Sequence, residues 1–278
     1  MTNDLELPPG IVAGDDDTAG LPLAGQHVLV TGGAKGIGFA VAEEMAAYGA
    51  DVTLLGRDIA ALRDARERLN DVAPGKVFDV VADLTEPDQI TNAFEWAGNM
   101  LGPPSVLVNN AGAAASAPFA KLDLAHWNRL LQVNLTGTYL CCQAALPAMV
   151  EAGFGRIVNI ASTAGLTGYA YVAAYCAAKH GVIGLTRALA REYATKGVTV
   201  NAVCPGYVET EMTERTIANI VAKTGRGAAQ AKAELAKLNP QGRLVQPDEV
   251  AEAAVFLSLA TSAAITGQAI AVAGGEIM

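Results

Sequence analysis

Seven short runs rich in Val, Ile and Leu recur along this chain, at residues 27–31, 51–55, 76–81, 105–109, 156–161, 198–203 and 269–273. Most lack polar alternation, as expected of parallel strands covered on both faces. The segments between them have helical period. Ile37, Val41, Met45 and Tyr48 are one such set, closed by Gly49 as a helix C-cap. Strand and helix alternating at this spacing predict an α/β fold built on a single doubly wound parallel sheet of about seven strands. With 278 residues the chain suffices for one such domain and is short for two. The rhythm breaks at 207–245, where a helix, a Gly-rich turn and a second helix replace a simple connection. That segment reads as a helical lid.

Composition narrows the function classes. The net charge is −9, and residues 1–20 hold Asp4, Glu6, Asp15, Asp16 and Asp17 with no base. Together with Pro8 and Pro9, this makes residues 1–24 an acidic tail expected to be disordered, and places the catalytic domain at 25–278. An acidic balance argues against nucleic acid as a partner. No stretch approaches the roughly 20 apolar residues of a membrane span, and no secretory signal is visible. Cys141, Cys142, Cys176 and Cys204 lie in apolar segments without disulfide or metal spacing, so no metal is expected and the chain reads as cytoplasmic.

The first strand runs into Thr31-Gly32-Gly33-Ala34-Lys35-Gly36-Ile37-Gly38 and directly on into a helix. Small residues let the backbone approach a pyrophosphate, and a helix start supplies N–H donors and a positive dipole end. The spacing is Gly-x-x-x-Gly-x-Gly, which differs from the Gly-x-Gly-x-x-Gly fingerprint. Its place at the first strand–helix junction still makes it a dinucleotide loop. The second strand then ends Leu54-Leu55-Gly56-Arg57, where an NAD site carries an acid on the ribose. Arg57 and Lys35 favour NADP(H) over NAD(H), and Asp58, one residue late, reads as the cap of the next helix.

Tyr175 and Lys179 stand four residues apart, with Ser162 thirteen residues upstream of the tyrosine. Such a spacing puts phenol and ammonium on one helix face. A neighbouring cation favours phenolate, which would lower the Tyr175 pKa and suit it to acid–base work. Alone, the pair reads first as an ordinary solvated helix face.

Taken together, these motifs resemble the short-chain dehydrogenase/reductase family, and the resemblance spans about Gly25 to Met278. Its ordered motifs are the Thr31–Gly38 loop, Asp83, Asn109-Asn110-Ala111-Gly112, Asn134, Ser162, Tyr175, Lys179 and Pro205-Gly206. The stretches Arg156 to Ser162 and Val203 to Thr210 look like β-ketoacyl and polyketide ketoreductases. Two departures stand out: Ala273, where members often carry Asp, and the long segment after Gly206. The resemblance implies a Rossmann-type domain that reduces a ketone to a secondary alcohol, or the reverse, on a 3-oxoacyl-type substrate with NADP(H). It implies that Ser162 holds the carbonyl oxygen, Tyr175 donates the proton, and Lys179 binds the nicotinamide ribose. Asn134 would hold a water between Lys179 and solvent; the plainer alternative is a buried Asn satisfied by backbone. Asp83, beside Leu84, would meet the adenine amino group, or instead cap the following helix. Asn110, Ala111 and Gly112 would pass under the ribose, and Pro205, Gly206, Val208 and Thr210 would border the nicotinamide and phosphates. A homotetramer is implied, with helices around 124–150 and 171–193 to bury.

The substrate side stays open. Ala113, Ala114, Leu166, Val208 and Met212 are expected to line an apolar pocket. Within 213–243 the bases Arg215, Lys223, Arg226, Lys232, Lys237 and Arg243 face only Glu214 and Glu234, a patch suited to coenzyme A phosphates or an acyl carrier. A small-molecule alcohol dehydrogenase acting on a sugar, steroid or xenobiotic, an NAD-preferring 3-hydroxyacyl dehydrogenase, and a non-catalytic dinucleotide sensor are the other readings.

Overall fold

In the computed structural model, which describes residue 18 and residues 20–277, all seven expected strands form one parallel sheet. They are β1 (His27–Thr31), β2 (Asp51–Gly56), β3 (Val77–Val81), β4 (Val106–Asn109), β5 (Gly155–Ile160), β6 (Val198–Pro205) and β7 (Ala269–Val272). Their order across the sheet is β3-β2-β1-β4-β5-β6-β7, so the chain reverses its direction of travel between β1 and β4. Register is fixed by pairs such as Val28 with Val52 on one side and Val106 on the other.

Side chains of successive strand residues point to opposite faces, and each face has its own helices. Val28, Val30, Val52, Leu54, Val106 and Val158 pack under α1 (Gly36–Ala47), α2 (Ile59–Asn70) and α9 (Pro247–Ser258). Leu29, Leu55, Leu107 and Ile157 pack under α3 (Pro87–Leu101), α5 (Gly137–Ala152) and the end of α6 (Ala173–Tyr193). Each fully buried Val or Leu contributes about 1.5–3 kcal/mol. The continuous apolar strands follow from this double coverage. The edge strands β3 and β7 are the exceptions, with Val81 and Ala271 exposed, and β7 stops at Val272, one residue short of the expected end.

The segment expected to be a lid holds α7 (Glu211–Thr224), a turn at Gly225–Gly227 and α8 (Ala228–Ala236). The short α4 (Leu124–Leu131) precedes a π-helical turn, Gln132–Thr136, that leads straight into α5. The expected acidic tail lies largely outside the described residues. Its last part differs from expectation: residues 20–24 form turns, Leu23 is buried in the core, and its N–H donates to the Tyr48 carbonyl. The ordered domain therefore begins before residue 25, because a leucine at that point has core to cover.

His27 joins three elements. Its buried ring lies 2.6 Å from the Gly102 carbonyl, which follows α3, and 2.9 Å from Thr53 Oγ1 on β2. Burial dominates its titration and lowers the pKa from 6.5 to about 4. The unfolded chain thus takes up this proton below pH 6.5, and the folded protein only near pH 4. Stability is expected to be insensitive to His27 above pH 6.5 and to fall as pH drops through that window, by on the order of 3 kcal/mol. Melting curves of the parent and His27→Gln between pH 7 and pH 4 check this. The parent should lose the larger share of its stability across the window, and parallel curves would contradict it.

Candidate active site

The site gathers at the carboxyl ends of β1, β4, β5 and β6, where chain reversal between β1 and β4 opens a crevice. On the β1 side, Lys35 is the N-cap of α1, with no side-chain cap and no acidic residue in the first turn. The helix's first N–H groups are left for a ligand from outside the chain, which suits an anion. The loop is tight: a Cβ at Gly38 would lie 2.2 Å from the Gly32 carbonyl oxygen and 2.4 Å from Asn110 Nδ2. A Cβ at Gly36 would touch the Thr210 methyl at 3.2 Å, so the start of the lid meets the phosphate loop. Ile37 packs against the core beneath. These features fit a pyrophosphate.

The strand ends are stitched by hydrogen bonds that the sequence reading did not foresee. Thr31 Oγ1 accepts from the N–H groups of Asn110 and Ala111, both at 3.0 Å. Asn110 Nδ2 donates back to the Thr31 and Gly32 carbonyls at 3.0 and 3.2 Å. Asn110 therefore braces the loop as well as bordering it. Gly112 runs between Asn134 and Lys179, since a Cβ there would be 2.7 Å from Asn134 Oδ1 and 3.8 Å from Lys179 Nζ.

Of the two expected dinucleotide-selective cations, Lys35 lines a 520 Å³ cleft with Phe39, Asp58, Arg68 and Glu211, among others, and Arg57 is not among its lining residues. Asp58 caps α2, accepting from the N–H groups of Ala60 and Ala61. Arg57 is exposed and pairs with Asp83 at 3.5 Å, while Lys35 pairs with Glu211 at 3.5 Å. Asp83 does not cap α3, whose N-cap is Glu86; its Oδ1 accepts from the Thr85 N–H and hydroxyl. Burial raises the Asp83 pKa, but the Thr85 hydrogen bonds and Arg57 outweigh it, and the net shift is downward. Leu84 is buried and would contact a Cβ at Gly137.

The catalytic candidates converge on the other side of the crevice. Ser162 follows β5 and accepts the Ala164 N–H at 3.1 Å, capping the short turn Thr163–Gly165. Because that bond uses an oxygen lone pair, the serine O–H is left to donate elsewhere. Tyr175 and Lys179 sit on the first turns of α6, with Nζ 5.7 Å from the Tyr175 ring centre. Lys179 is buried and donates to the Ile160 carbonyl at 2.8 Å. Asn134 occupies the π-helical turn, a feature no helical periodicity reveals and one frequent at functional sites. Its amide is held by backbone: Nδ2 donates to the Ala113 and Leu130 carbonyls, and Oδ1 accepts from the Ala113 N–H. The plainer reading of Asn134 is thus fulfilled, and one Oδ1 lone pair remains.

Electrostatics departs from expectation at the central pair. Burial pushes Tyr175 up to about 12, with the Ser162 hydroxyl pulling the other way, and Lys179 is not among the causes. Burial also brings Lys179 down to about 8. In the protein alone, desolvation wins over the cation expected to lower the phenol. The Cys204 thiol lies near Ser162 and Lys179, and burial raises it to about 11. Pro205 ends β6, and the Gly206 N–H donates to Val272. Val208 differs from its expected place: its side chain is buried in the core, so only its backbone can border a ligand.

The basic lid patch is also revised. Counted over 207–245, Glu209 and Glu211 join Glu214 and Glu234 against the six bases, a local charge of +2. Arg226 pairs with Glu234 at 2.6 Å, Arg243 with Glu249 at 2.6 Å, Arg215 with Glu211 at 3.5 Å, and Lys232 with Glu209. The partners were missed because two precede the counted segment and one follows it. Among the described residues, no cluster of His, Cys, Asp or Glu can hold a metal ion, and no helix is long and apolar enough to cross a membrane.

The short chain dehydrogenase family model matches residues 26–221. The 3-oxoacyl-(acyl-carrier-protein) reductase FabG of Aquifex aeolicus is 37% identical over 255 residues, covering 92% of this chain and 98% of that one. The D-beta-hydroxybutyrate dehydrogenase of Rhizobium meliloti is 34% identical, over 89% of this chain and 96% of its own. Among solved structures, a variant of actinorhodin polyketide ketoreductase with NADPH superposes with a TM-score of 0.87 at 37% identity, over 90% of this chain and 97% of that one. The chain belongs to the short-chain dehydrogenase family and is an oxidoreductase of carbonyl and alcohol groups.

Gly38→Ala should drive a methyl into the Gly32 carbonyl and the Asn110 amide and weaken dinucleotide binding about tenfold or more. Thermal shift with and without NADPH reads it. Gly98→Ala, inside α3 with its nearest neighbour at 3.9 Å, is the control and should leave binding unchanged. Equal behaviour of the two variants would contradict the tight-loop account.

Proposed function

Starting from that membership, we propose that the chain is an NADP(H)-dependent ketoreductase acting on 3-oxoacyl-type substrates. The observation that carries the reading is the convergence of Ser162, Tyr175 and Lys179 across the crevice from an uncapped helix start. The O–H of Ser162, within hydrogen-bond reach of Tyr175, donates to the substrate carbonyl oxygen. Tyr175 delivers its phenolic proton to the same oxygen as it becomes an alkoxide. The bound reduced dinucleotide supplies the hydride for the carbonyl carbon. With its pKa held high by burial, Tyr175 stays protonated at neutral pH, the state from which it donates. Lys179, fixed by the Ile160 carbonyl beside Gly112, would bind the nicotinamide ribose, and the remaining Asn134 lone pair would take a water. Asp83 would meet the adenine, with Pro205, Gly206 and Thr210 along the dinucleotide.

Preference for NADP(H) is supported by Lys35 after β1 and Arg57 after β2, two exposed cations, and by Asp58 being engaged as a cap. The substrate class is supported by the acyl-carrier reductase relative, but the hydroxybutyrate relative acts on a free acid, so the acyl end needs its own argument. A cytoplasmic homotetramer is supported by free cysteines throughout and by exposed Leu124 and Tyr139 on α4 and α5.

Two variants test the assignment. Tyr175→Phe removes the proton donor at nearly constant volume, so turnover should fall on the order of a hundredfold or more while NADPH binding stays. Near-parental turnover would contradict the mechanism. Arg57→Asp puts a carboxylate where a 2′-phosphate lies, so the ratio of kcat/KM for NADPH over NADH should fall about ten- to a hundredfold. A parent enzyme that prefers NADH would overturn the cofactor assignment.

A further inference from the structure

The last residues of the chain bring a carboxylate to the substrate side of the site. After β7 the backbone turns at Gly274 and Gly275, with φ of 58° and 92°, and the Glu276 N–H donates to the Ala273 carbonyl. Only glycine fits the first of these: a Cβ at Gly274 would lie 1.9 Å from Asn239 Oδ1 at the end of the lid. The turn sends Glu276 back over the strand ends. One carboxylate oxygen accepts the Tyr169 hydroxyl, and the other lies 2.8 Å from where a Cβ on Gly206 would be. Tyr169 stands six residues before Tyr175, and its oxygen is 2.9 Å from the hydroxyl of Thr163, the neighbour of Ser162. A phenol has one hydrogen, so Tyr169 donates it to Glu276 and accepts from Thr163.

We propose that Glu276, anchored by Tyr169 between Ser162-Thr163 and Gly206, is a specificity-determining residue that discriminates against ketones bearing a free carboxylate and so favours neutral 3-oxoacyl esters and thioesters over free 3-oxo acids. The inference rests on the carbonyl-reductase reading above. No base among the described residues pairs with Glu276, so none of them neutralises its charge beside Thr163 and Gly206. That charge is felt nearby: after burial, it is the largest influence raising the Tyr207 phenol, and Tyr207 in turn acts on Tyr175. Lys179 is the buried cation of the site, and it is held by the Ile160 carbonyl. Two like charges in a partly buried pocket change binding about tenfold or more.

The test is the ratio of kcat/KM for acetoacetate over ethyl acetoacetate with the full chain and NADPH. The parent should favour the ester. Glu276→Gln, which keeps the shape, and Glu276→Ala should each raise the acid-to-ester ratio about tenfold, through KM for the acid and not through kcat. At ~1 M salt the difference between parent and variants should shrink, a response that mere loss of structure would not give. A parent that favours the acid, or a ratio unmoved in both variants, overturns the proposal. If neither 3-oxo compound is reduced, the 3-oxoacyl reading has failed separately. The same ratio is then read on 4-oxocyclohexanecarboxylate and its methyl ester, and a ratio unmoved there overturns the inference on its own.

Discussion

The structure depends on the place where β1 and β4 lie side by side and their onward connections part. Every strand of a parallel sheet ends on the same edge, and at this one position nothing in the chain path covers that edge. The gap has to be held open without leaving buried backbone unpaired. Thr31 and Asn110 do this: four hydrogen bonds between them and their neighbours close the floor of the crevice. The phosphate loop stands on one side of that floor and the Gly112 passage on the other. A second polar chain fixes the helix that carries the acid. Asn109 donates to Asn159, Asn159 to Thr186, and Thr186 to the Val182 carbonyl, all buried, so α6 is tied to β4 and β5 behind the site. Broken buried bonds of this kind cost more than the net value of each bond, which makes the placement of Tyr175 and Lys179 rigid.

Within that frame, burial sets the chemistry. Tyr175 and Lys179 are both pushed towards their neutral forms. A phenol that keeps its proton is a donor in waiting, and an amine brought near neutrality is sensitive to any anion or hydroxyl placed beside it. The dinucleotide ribose proposed for Lys179 would supply hydroxyls at that point. Specificity is then assigned by what surrounds the acid: the apolar loops on one side and the Tyr169–Glu276 contact on the other.

Much of this was legible in the sequence, and the reasons are physical. Strands buried on both faces carry unbroken apolar runs, so all seven were readable, with ends shifted by one residue at Gly155 and Val272 and by two at Pro205. The phosphate loop and the Tyr175–Lys179 pair are local patterns of fixed spacing, and local spacing survives folding. What escaped were non-local pairings. Glu209 reaching Lys232, Arg243 reaching Glu249 and Glu276 reaching Tyr169 have no signature in the linear order. The π-helical turn around Asn134 hides inside a continuous helical pattern, and Leu23 looked like part of a tail because its core neighbours lie on α1 and β2. The expected lowering of the Tyr175 pKa failed because spacing reports the cation and is silent on burial.

The central claim is that these residues present a ketone carbonyl to a hydride donor seated on the β1 loop. Single turnovers with NADPH carrying deuterium at C4, prepared separately in each stereochemical form, test it most directly. With a 3-oxo ester as acceptor, one form should deliver the label in full to the new carbinol carbon and the other should deliver none. Dinucleotide oxidation without label in the product from either form would contradict the account.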